Sequence, residues 1–331
     1  MTDQPVAVRI LGFGDDSQWQ ILPHDPGLPG PGEVRVAIEM AGLSYADVLV
    51  AQGLYQLKPK LPFTPGSEGA GIITDVGAGV DPARVGERVC VGNFNGTMAQ
   101  AVLSPADQAL PLPDHVSFAQ GAVSRVSYGT AYYALHQRGA VQAGESVLVL
   151  GAGGAVGQAA VQMAKAMGAF VIASASTPEK RALALACGAD AVVDTQSADW
   201  RADVRAANGD KAIDVVVDPV GGDMTELAVR SLAWNGRLLV IGFVGGGIPA
   251  IRTNLLLLKG ASLIGVDARQ FGVYETATKN ANLRAVMEMF AKGLLVPQVA
   301  PPYKLADFRT AMADAFAGKI AGRVVVEMQT S

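Results

Sequence analysis

Cysteine and histidine are scarce in this chain: its 331 residues hold only Cys90 and Cys187, and His24, His115 and His136. Two cysteines cannot build a four-cysteine structural zinc lobe, and both read as small buried hydrophobes, the usual fate of an unpaired cysteine. A large excess of charge of either sign is missing too. The 26 Lys and Arg against 30 Asp and Glu leave a net charge of −4, with no basic block that could follow a phosphate backbone, so nucleic acid is excluded as the main partner. Long apolar runs are absent: half of the residues are apolar, yet 39 glycines and 18 prolines break them well before the roughly 20 in a row that a membrane helix needs. The opening residues, from Met1 through Gln4 and Pro5 into Val6-Ala7-Val8-Arg9-Ile10, lack the charged-then-apolar build of a signal peptide. The expectation is a globular, cytoplasmic protein with small-molecule partners and no membrane association.

At about 150 residues per domain the length predicts two domains. To about residue 125 the chain consists of short β-rich pieces between Gly and Pro, such as Val34–Ile38, Gly71–Val76 and Glu87–Val91, the spacing of a small barrel-like β domain. From 126 the texture changes. Strand runs at 146–150, 170–173, 191–194, 213–217 and 236–241 alternate with helical stretches rich in Ala, Leu, Met and Lys, the pattern of βαβ units and a doubly wound parallel sheet. Beyond Gly265, helices at 282–290 and 307–316 and a strand at 323–327 are expected to return to the first domain. The predicted division is therefore 1–125 with 266–331, and 126–265.

Directly after the strand Val147–Leu150 comes Gly151-Ala152-Gly153-Gly154-Ala155-Val156-Gly157, then a helical stretch to Gly168. Strand, glycine turn, helix is the context of a dinucleotide fingerprint, because glycines let the backbone approach a pyrophosphate seated on the helix N-terminus. The pattern here is Ala152-x-Gly154-x-x-Gly157 rather than three glycines, so a plain tight turn between strand and helix is the competing reading. The next strand decides between cofactors. NAD-binding versions place an acid about 20 residues on, against the ribose hydroxyls. This chain has Ser174-Ala175-Ser176-Thr177-Pro178-Glu179-Lys180-Arg181, whose strand tip carries hydroxyls, with Lys180 and Arg181 beyond it. That composition suits the 2′-phosphate of NADPH. For Arg181, a solvated helix face is the competing assignment.

The segments Gly32-Glu33-Val34 to Ala41-Gly42-Leu43-Ser44-Tyr45-Ala46-Asp47, Gln52-Gly53-Leu54-Tyr55, and Pro62-Phe63-Thr64-Pro65-Gly66-Ser67-Glu68-Gly69-Ala70-Gly71 together resemble the quinone oxidoreductase branch of the medium-chain dehydrogenase/reductase superfamily. So do Leu112–Ser117, Tyr128–Tyr132, Asp218–Gly222 and Asn254–Lys259, so the resemblance covers nearly the whole chain. It implies a GroES-like β-rich catalytic domain made from both ends of the chain, a Rossmann domain between them, and an active site in the cleft. It also implies positions. Ser44 and Thr130 belong near the nicotinamide; Gly153, Gly154, Ala155 and Val156 under the pyrophosphate; Ser176 and Lys180 at the 2′-phosphate. Gly242-Phe243-Val244 and Val266-Asp267 match segments that hold the nicotinamide, and Arg323 a basic position near the cofactor phosphates. Tyr55 matches a tyrosine assigned as proton donor in related enoyl thioester reductases. A homodimer is implied as well, in which the apolar 241–264 segment extends the Rossmann sheet across a two-fold axis.

The superfamily's zinc enzymes hold their metal with Cys, His and a further Cys or acid; here those positions are Ser44, Ser67 and Val126, which predicts no metal site. The three histidines lie far from these positions and read as surface or turn residues. Without a metal to polarise a carbonyl, the natural hydride acceptor is a conjugated system that takes up the developing charge itself, as quinones, enones and enals do. Quinone reductases commonly carry Asn at the Ser44 position, Tyr at Leu49 and an aromatic at Thr195, so the substrate pocket and part of the adenosine pocket differ here. Two alternatives stand beside the leading one. An enoyl thioester reductase would need a basic entrance for CoA phosphates, for which Lys58, Lys60 and Arg269 are few. A non-catalytic, NADPH-binding structural or regulatory protein, as some related crystallins are, is the other.

Overall fold

Period-two alternation of apolar and polar residues makes the first strands, because it sets one face of each against a core. In the computed structural model, which describes residues 4–318 and 320–329, β1 (Val6–Ile10) pairs antiparallel with β2 (Trp19–Pro23). The long β3 (Glu33–Leu43), with Val34, Val36 and Ile38 buried, leads into helix α1 (Tyr45–Ala51) and pairs antiparallel with β4 (Glu68–Val76). Next come β5 (Arg88–Gly92) on β4, β6 (Ala101–Pro105) on β3, β7 (Leu110–Pro111) on β5, and a short α2 (Phe118–Gly121). β3 and β4 approach so closely that a Cβ on Gly71 would lie 1.8 Å from the Ala37 carbonyl oxygen, which only glycine permits.

Helix α3 (Val126–Tyr132) continues into a π-helix, Tyr133–Arg138. There follow β8 (Ser146–Leu150), α4 (Ala155–Ala166), β9 (Phe170–Ala175), α5 (Pro178–Ala186), β10 (Ala191–Asp194), α6 (Trp200–Ala207), β11 (Ile213–Asp218), α7 (Asp223–Ser231), β12 (Leu232–Val240), α8 (Asn254–Leu257) and β13 (Ser262–Gly265). The six strands form one parallel sheet in the order β10-β9-β8-β11-β12-β13, so the winding reverses between β8 and β11. Every residue of β8 is buried, as expected of a strand covered on both faces. In such sheets ligands bind outside the carboxyl ends of the strands at the reversal point.

The expected return to the first domain at 266 is corrected. Helices α9 (Ala268–Tyr274) and α10 (Thr276–Ala291) stay with the parallel-sheet unit. Phe271 stacks on Tyr133 at 3.9 Å, Phe290 meets Tyr128 edge-on at 5.0 Å, and Asn282 Nδ2 donates to Gln137 Oε1 at 2.8 Å. Gln162 closes the segment by bonding both the N–H and the carbonyl of Val296. The buried face Leu283, Val286, Met287 and Phe290 supplies the reason: it packs within this unit, and the chain crosses only at Val299. Then come β14 (Tyr303–Lys304), α11 (Phe308–Ala317) and β15 (Val324–Glu327). β15 joins β3 antiparallel, completing a seven-stranded sheet in the order β14-β15-β3-β4-β5-β7, with β6 also on β3. The first unit thus runs to Val126 and resumes at Val299, and the second is Ser127–Gln298.

Candidate functional site

The turn after β8 is shaped by glycine. Gly151 has φ +59°, and a Cβ on Gly157 would lie 2.3 Å from the Gly151 carbonyl oxygen and 2.7 Å from Ala152 Cα, so α4 can start this close to β8 only with glycine at 157. Gly154 is the N-cap residue of α4, and no side chain caps that end. The amide N–H groups of the first turn and the positive end of the helix dipole therefore face outward together, an arrangement that receives an anion. Gln158 backs the turn: its Nε2 donates to the Gly153 carbonyl at 3.0 Å, while its buried Oε1 has no hydrogen-bond partner among the described residues. A glycine cradle, an uncapped N-terminus and an unsatisfied buried oxygen behind it fit a dinucleotide.

At the tip of β9 the stem of Lys180 lies across the glycine turn, since a Cβ on Gly153 would come 2.7 Å from Lys180 Cβ and Cγ. The Lys180 ammonium makes no hydrogen bond or ion pair with a described residue. Arg181 is engaged instead, with Nη1 on the Ala175 carbonyl at 3.0 Å and on Asp194 Oδ2 at 3.1 Å. Ser174 is buried, bonded to Thr195 Oγ1 and to Trp200 Nε1. Thr177 caps α5 by accepting from the Lys180 N–H.

The remaining expected cofactor segments of this unit follow other strand ends of the same sheet. Gly242, Phe243 and Val244 follow β12, and Val266-Asp267 follow β13. Asp218, at the end of β11, organises the loop after β12. Its Oδ1 accepts from the Val220 and Gly221 N–H groups at 2.9 Å each, and its Oδ2 from Thr225 Oγ1 at 2.6 Å. Its carbonyl accepts from Ile241 N–H, and Pro219 and Val220 carbonyls from Val244 and Gly245. Phe243 and Val244 are left exposed. The Asp267 carboxylate caps α9 through the Arg269 and Gln270 N–H groups, so it acts on its own helix. Thr130 is buried in α3 and sits on no strand end.

Ser44, Tyr55 and Arg323 lie on the other unit. Ser44 caps α1 and donates to Asp47 Oδ2 at 2.6 Å, and Ser67 hydrogen-bonds the same carboxylate. Burial pushes the Asp47 carboxyl up from its ordinary range; the serine hydrogen bonds oppose this and the Glu68 charge adds to it. Glu68 Oε2 accepts from the N–H groups of Arg125 and Val126 at 3.0 and 2.8 Å, and Oε1 takes the Arg323 guanidinium at 2.9 Å. The positions 44, 67 and 126 are thus gathered around two buried carboxylates. Arg323, expected near the cofactor phosphates, has a side chain only 5% exposed and an ion pair with Glu68. Tyr55 follows α1, half-buried, with its ring 6.1 Å from that of Phe94. Among the described residues no group of three or more His, Cys, Asp and Glu is arranged to hold a metal. Cys90 and Cys187 are buried, and burial pushes both thiols up, away from reactive thiolate.

The sequence reading missed Asp47, Glu68, Asp218 and the Arg181–Asp194 pair. A carboxylate inside the glycine-rich strand run Gly66–Gly71 was the available signal for Glu68, since a buried charge requires a partner; nothing local names Arg323.

Residues 30–114 match the family model for the alcohol dehydrogenase GroES-like domain, and residues 155–311 that for zinc-binding dehydrogenase. Quinone oxidoreductase-like protein 2 of Rattus norvegicus is 37% identical over 302 residues, covering 91% of this chain and 86% of its own. A probable oxidoreductase from Mycobacterium abscessus superposes with a TM-score of 0.86 at 34% identity, over 98% of each chain. The quinone oxidoreductase of Thermus thermophilus, solved also as its complex with NADPH, superposes with a TM-score of 0.83 at 31% identity, over 97% of this chain and 99% of its own.

Proposed function

Because this chain belongs to the quinone oxidoreductase branch of the medium-chain dehydrogenase/reductase superfamily, we propose that it reduces quinones or conjugated enones and enals with NADPH and without zinc. It is an oxidoreductase with a GroES-like unit and a Rossmann-type unit, and the family implies a nicotinamide cofactor and a small-molecule substrate. The observation that carries NADPH is the Lys180 ammonium, which has no hydrogen-bond or ion-pair partner among the described residues and lies beside a strand tip of serines and threonine. A 2′-phosphate gives that charge its counter-ion, and Ser176 adds a hydroxyl.

The bound cofactor supplies a hydride. The protein's part is to hold and to protonate. The first-turn N–H groups of α4, at Ala155 and Val156, take the pyrophosphate, the Gly154 N–H being held by the Gly151 carbonyl at 2.9 Å, and the loops at Gly242–Val244 and Val266 take the nicotinamide with Thr130. Zinc does not fit the donor set. Ser44 and Ser67 are neutral alcohols, Val126 is a hydrocarbon, and Asp47 and Glu68 are occupied by hydroxyls, N–H groups and a guanidinium. The acceptor must therefore delocalise the incoming charge itself, and Tyr55 is the group assigned to deliver the proton that follows.

NADPH consumption by the purified chain, in the presence of chelator, against a panel of quinones, enones, enals and enoyl-CoAs tests this. Turnover of quinones or enones supports the proposal. Turnover of enoyl-CoA alone makes it an enoyl thioester reductase; tight NADPH binding with no acceptor makes it a non-catalytic binder; loss of activity in chelator overturns zinc independence. The same reading includes a cytoplasmic homodimer.

A further inference from the structure

Four charged side chains stand around the tip of β9: Glu179, Lys180 and Arg181 in the first turn of α5, and Asp194 at the end of β10. Their circumstances differ. Lys180 lies along the glycine turn with its ammonium unpaired among the described residues. Glu179 is fully exposed and is held down by its own N–H and by Thr177, with the Arg181 charge also lowering it. Asp194 is the register partner of Ala175 in the sheet, so its carboxylate stands one strand away from the serine and threonine that follow Ala175. Its Oδ1 accepts from the Gln196 N–H at 2.9 Å, and its Oδ2 meets Arg181. The Arg181 side chain is 20% exposed against 42% for Asp194, so the guanidinium is the more sheltered partner and reaches back to the Ala175 carbonyl as well.

A carboxylate at this strand end, left alone, would repel a phosphate docking at Ser176 and Lys180. We propose that Arg181 is a specificity-positioning residue: it neutralises Asp194 and ties it to the end of β9, so that the pocket meets the 2′-phosphate with the Lys180 charge uncancelled. Arg181 acts through Asp194 rather than by reading the phosphate itself. This inference rests on the NADPH reading above and explains why two adjacent cations behave differently: one is left open, the other consumed by the nearest carboxylate. It also absorbs a residue whose competing assignment was an idle surface charge.

The test uses the full chain and follows binary binding of NADPH and of NADH by fluorescence of the reduced nicotinamide. Arg181→Gln, Asp194→Asn, the double variant and Arg181→Lys are compared with the parent at ionic strengths of about 0.02 M and about 0.5 M, where screening is weak and strong respectively. At low salt Arg181→Gln weakens NADPH by about tenfold, the scale of one unscreened charge several ångströms from another at intermediate dielectric, and leaves NADH within about twofold. High salt shrinks the loss, and adding Asp194→Asn restores NADPH binding. Arg181→Lys, which keeps the charge, keeps the preference, and Asp194→Asn alone binds NADPH at least as tightly as the parent. NADPH binding by Arg181→Gln equal to the parent's overturns the proposal. So does an equal loss for both cofactors that neither salt nor Asp194→Asn changes, which would make Arg181 a brace for the turn. A parent with no preference for NADPH overturns the underlying cofactor reading, and that result is visible before any variant is made.

Discussion

Tyr55 and Arg323 were both assigned by position in sequence, and their surroundings separate them. Tyr55 sits half-buried beside Phe94, behind the end of α1. General acid assistance contributes roughly a hundredfold to ten-thousandfold, so Tyr55→Phe should lower enone turnover on that scale and leave NADPH binding intact. Quinone turnover should fall less, because the reduced oxygens take protons from water. Parent-like enone rates in Tyr55→Phe would make it a wall residue. Arg323 is locked on Glu68, and removing one partner of a buried pair leaves a charge without compensation. Arg323→Met should therefore cost about 3–5 kcal/mol of stability, read by denaturant or thermal unfolding of the apoprotein. An unfolding midpoint matching the parent, with weakened NADPH binding, would return Arg323 to the phosphates. That Ser44, Ser67 and Val126 lack the thiolate and imidazole groups of the superfamily's zinc ligands was readable, because it depends on residue type alone. The sequence could not show the Glu68–Arg323 pair, whose members lie 255 positions apart.

Elements whose sequence pattern and burial agree were legible. The run 146–150 is β8 residue for residue, because a strand covered on both faces needs an unbroken apolar run. The glycine turn was legible as well, since strand, glycine and helix follow one another without a gap. Its tightness supplies a test. The Cβ of Gly157→Ala would overlap the Gly151 carbonyl and Ala152, and overpacking of this kind costs roughly 1–3 kcal/mol. If the turn moves to absorb it, NADPH affinity should fall by roughly tenfold to a hundredfold with the far-UV circular dichroism unchanged. Affinity equal to the parent's would show that the turn is not the pyrophosphate cradle. The α9–α10 segment was misassigned because an amphipathic helix declares that one face is buried, not which unit buries it.

Two-domain organisation was legible at the scale of the whole molecule from length and from the change of texture near 126. The partner of each surface was not. β13 ends the six-stranded sheet, and among the described residues no strand pairs with its outer edge. Trp234, Leu257 and Leu258, each more than 70% exposed, stand on the neighbouring elements β12 and α8 or next to them. An unpaired edge with exposed apolar residues nearby supports the two-fold homodimer proposed for this chain. Light scattering should give twice the chain mass at micromolar concentration, and Leu263→Lys on β13 should shift it to the monomer; a parent of single-chain mass would remove the dimer.

The cofactor preference proposed for this chain depends on one charge reading one phosphate. Its most direct test is the ratio of kcat/KM for NADPH to that for NADH, with a single quinone or enone acceptor, in the parent and in Lys180→Ala. A hydrogen bond to a charged group is worth roughly 1.5–3 kcal/mol, so the parent should favour NADPH by at least about tenfold, and Lys180→Ala should bring the ratio close to one by losing NADPH efficiency alone. Equal efficiencies in the parent, or a ratio that Lys180→Ala leaves unchanged, would contradict it.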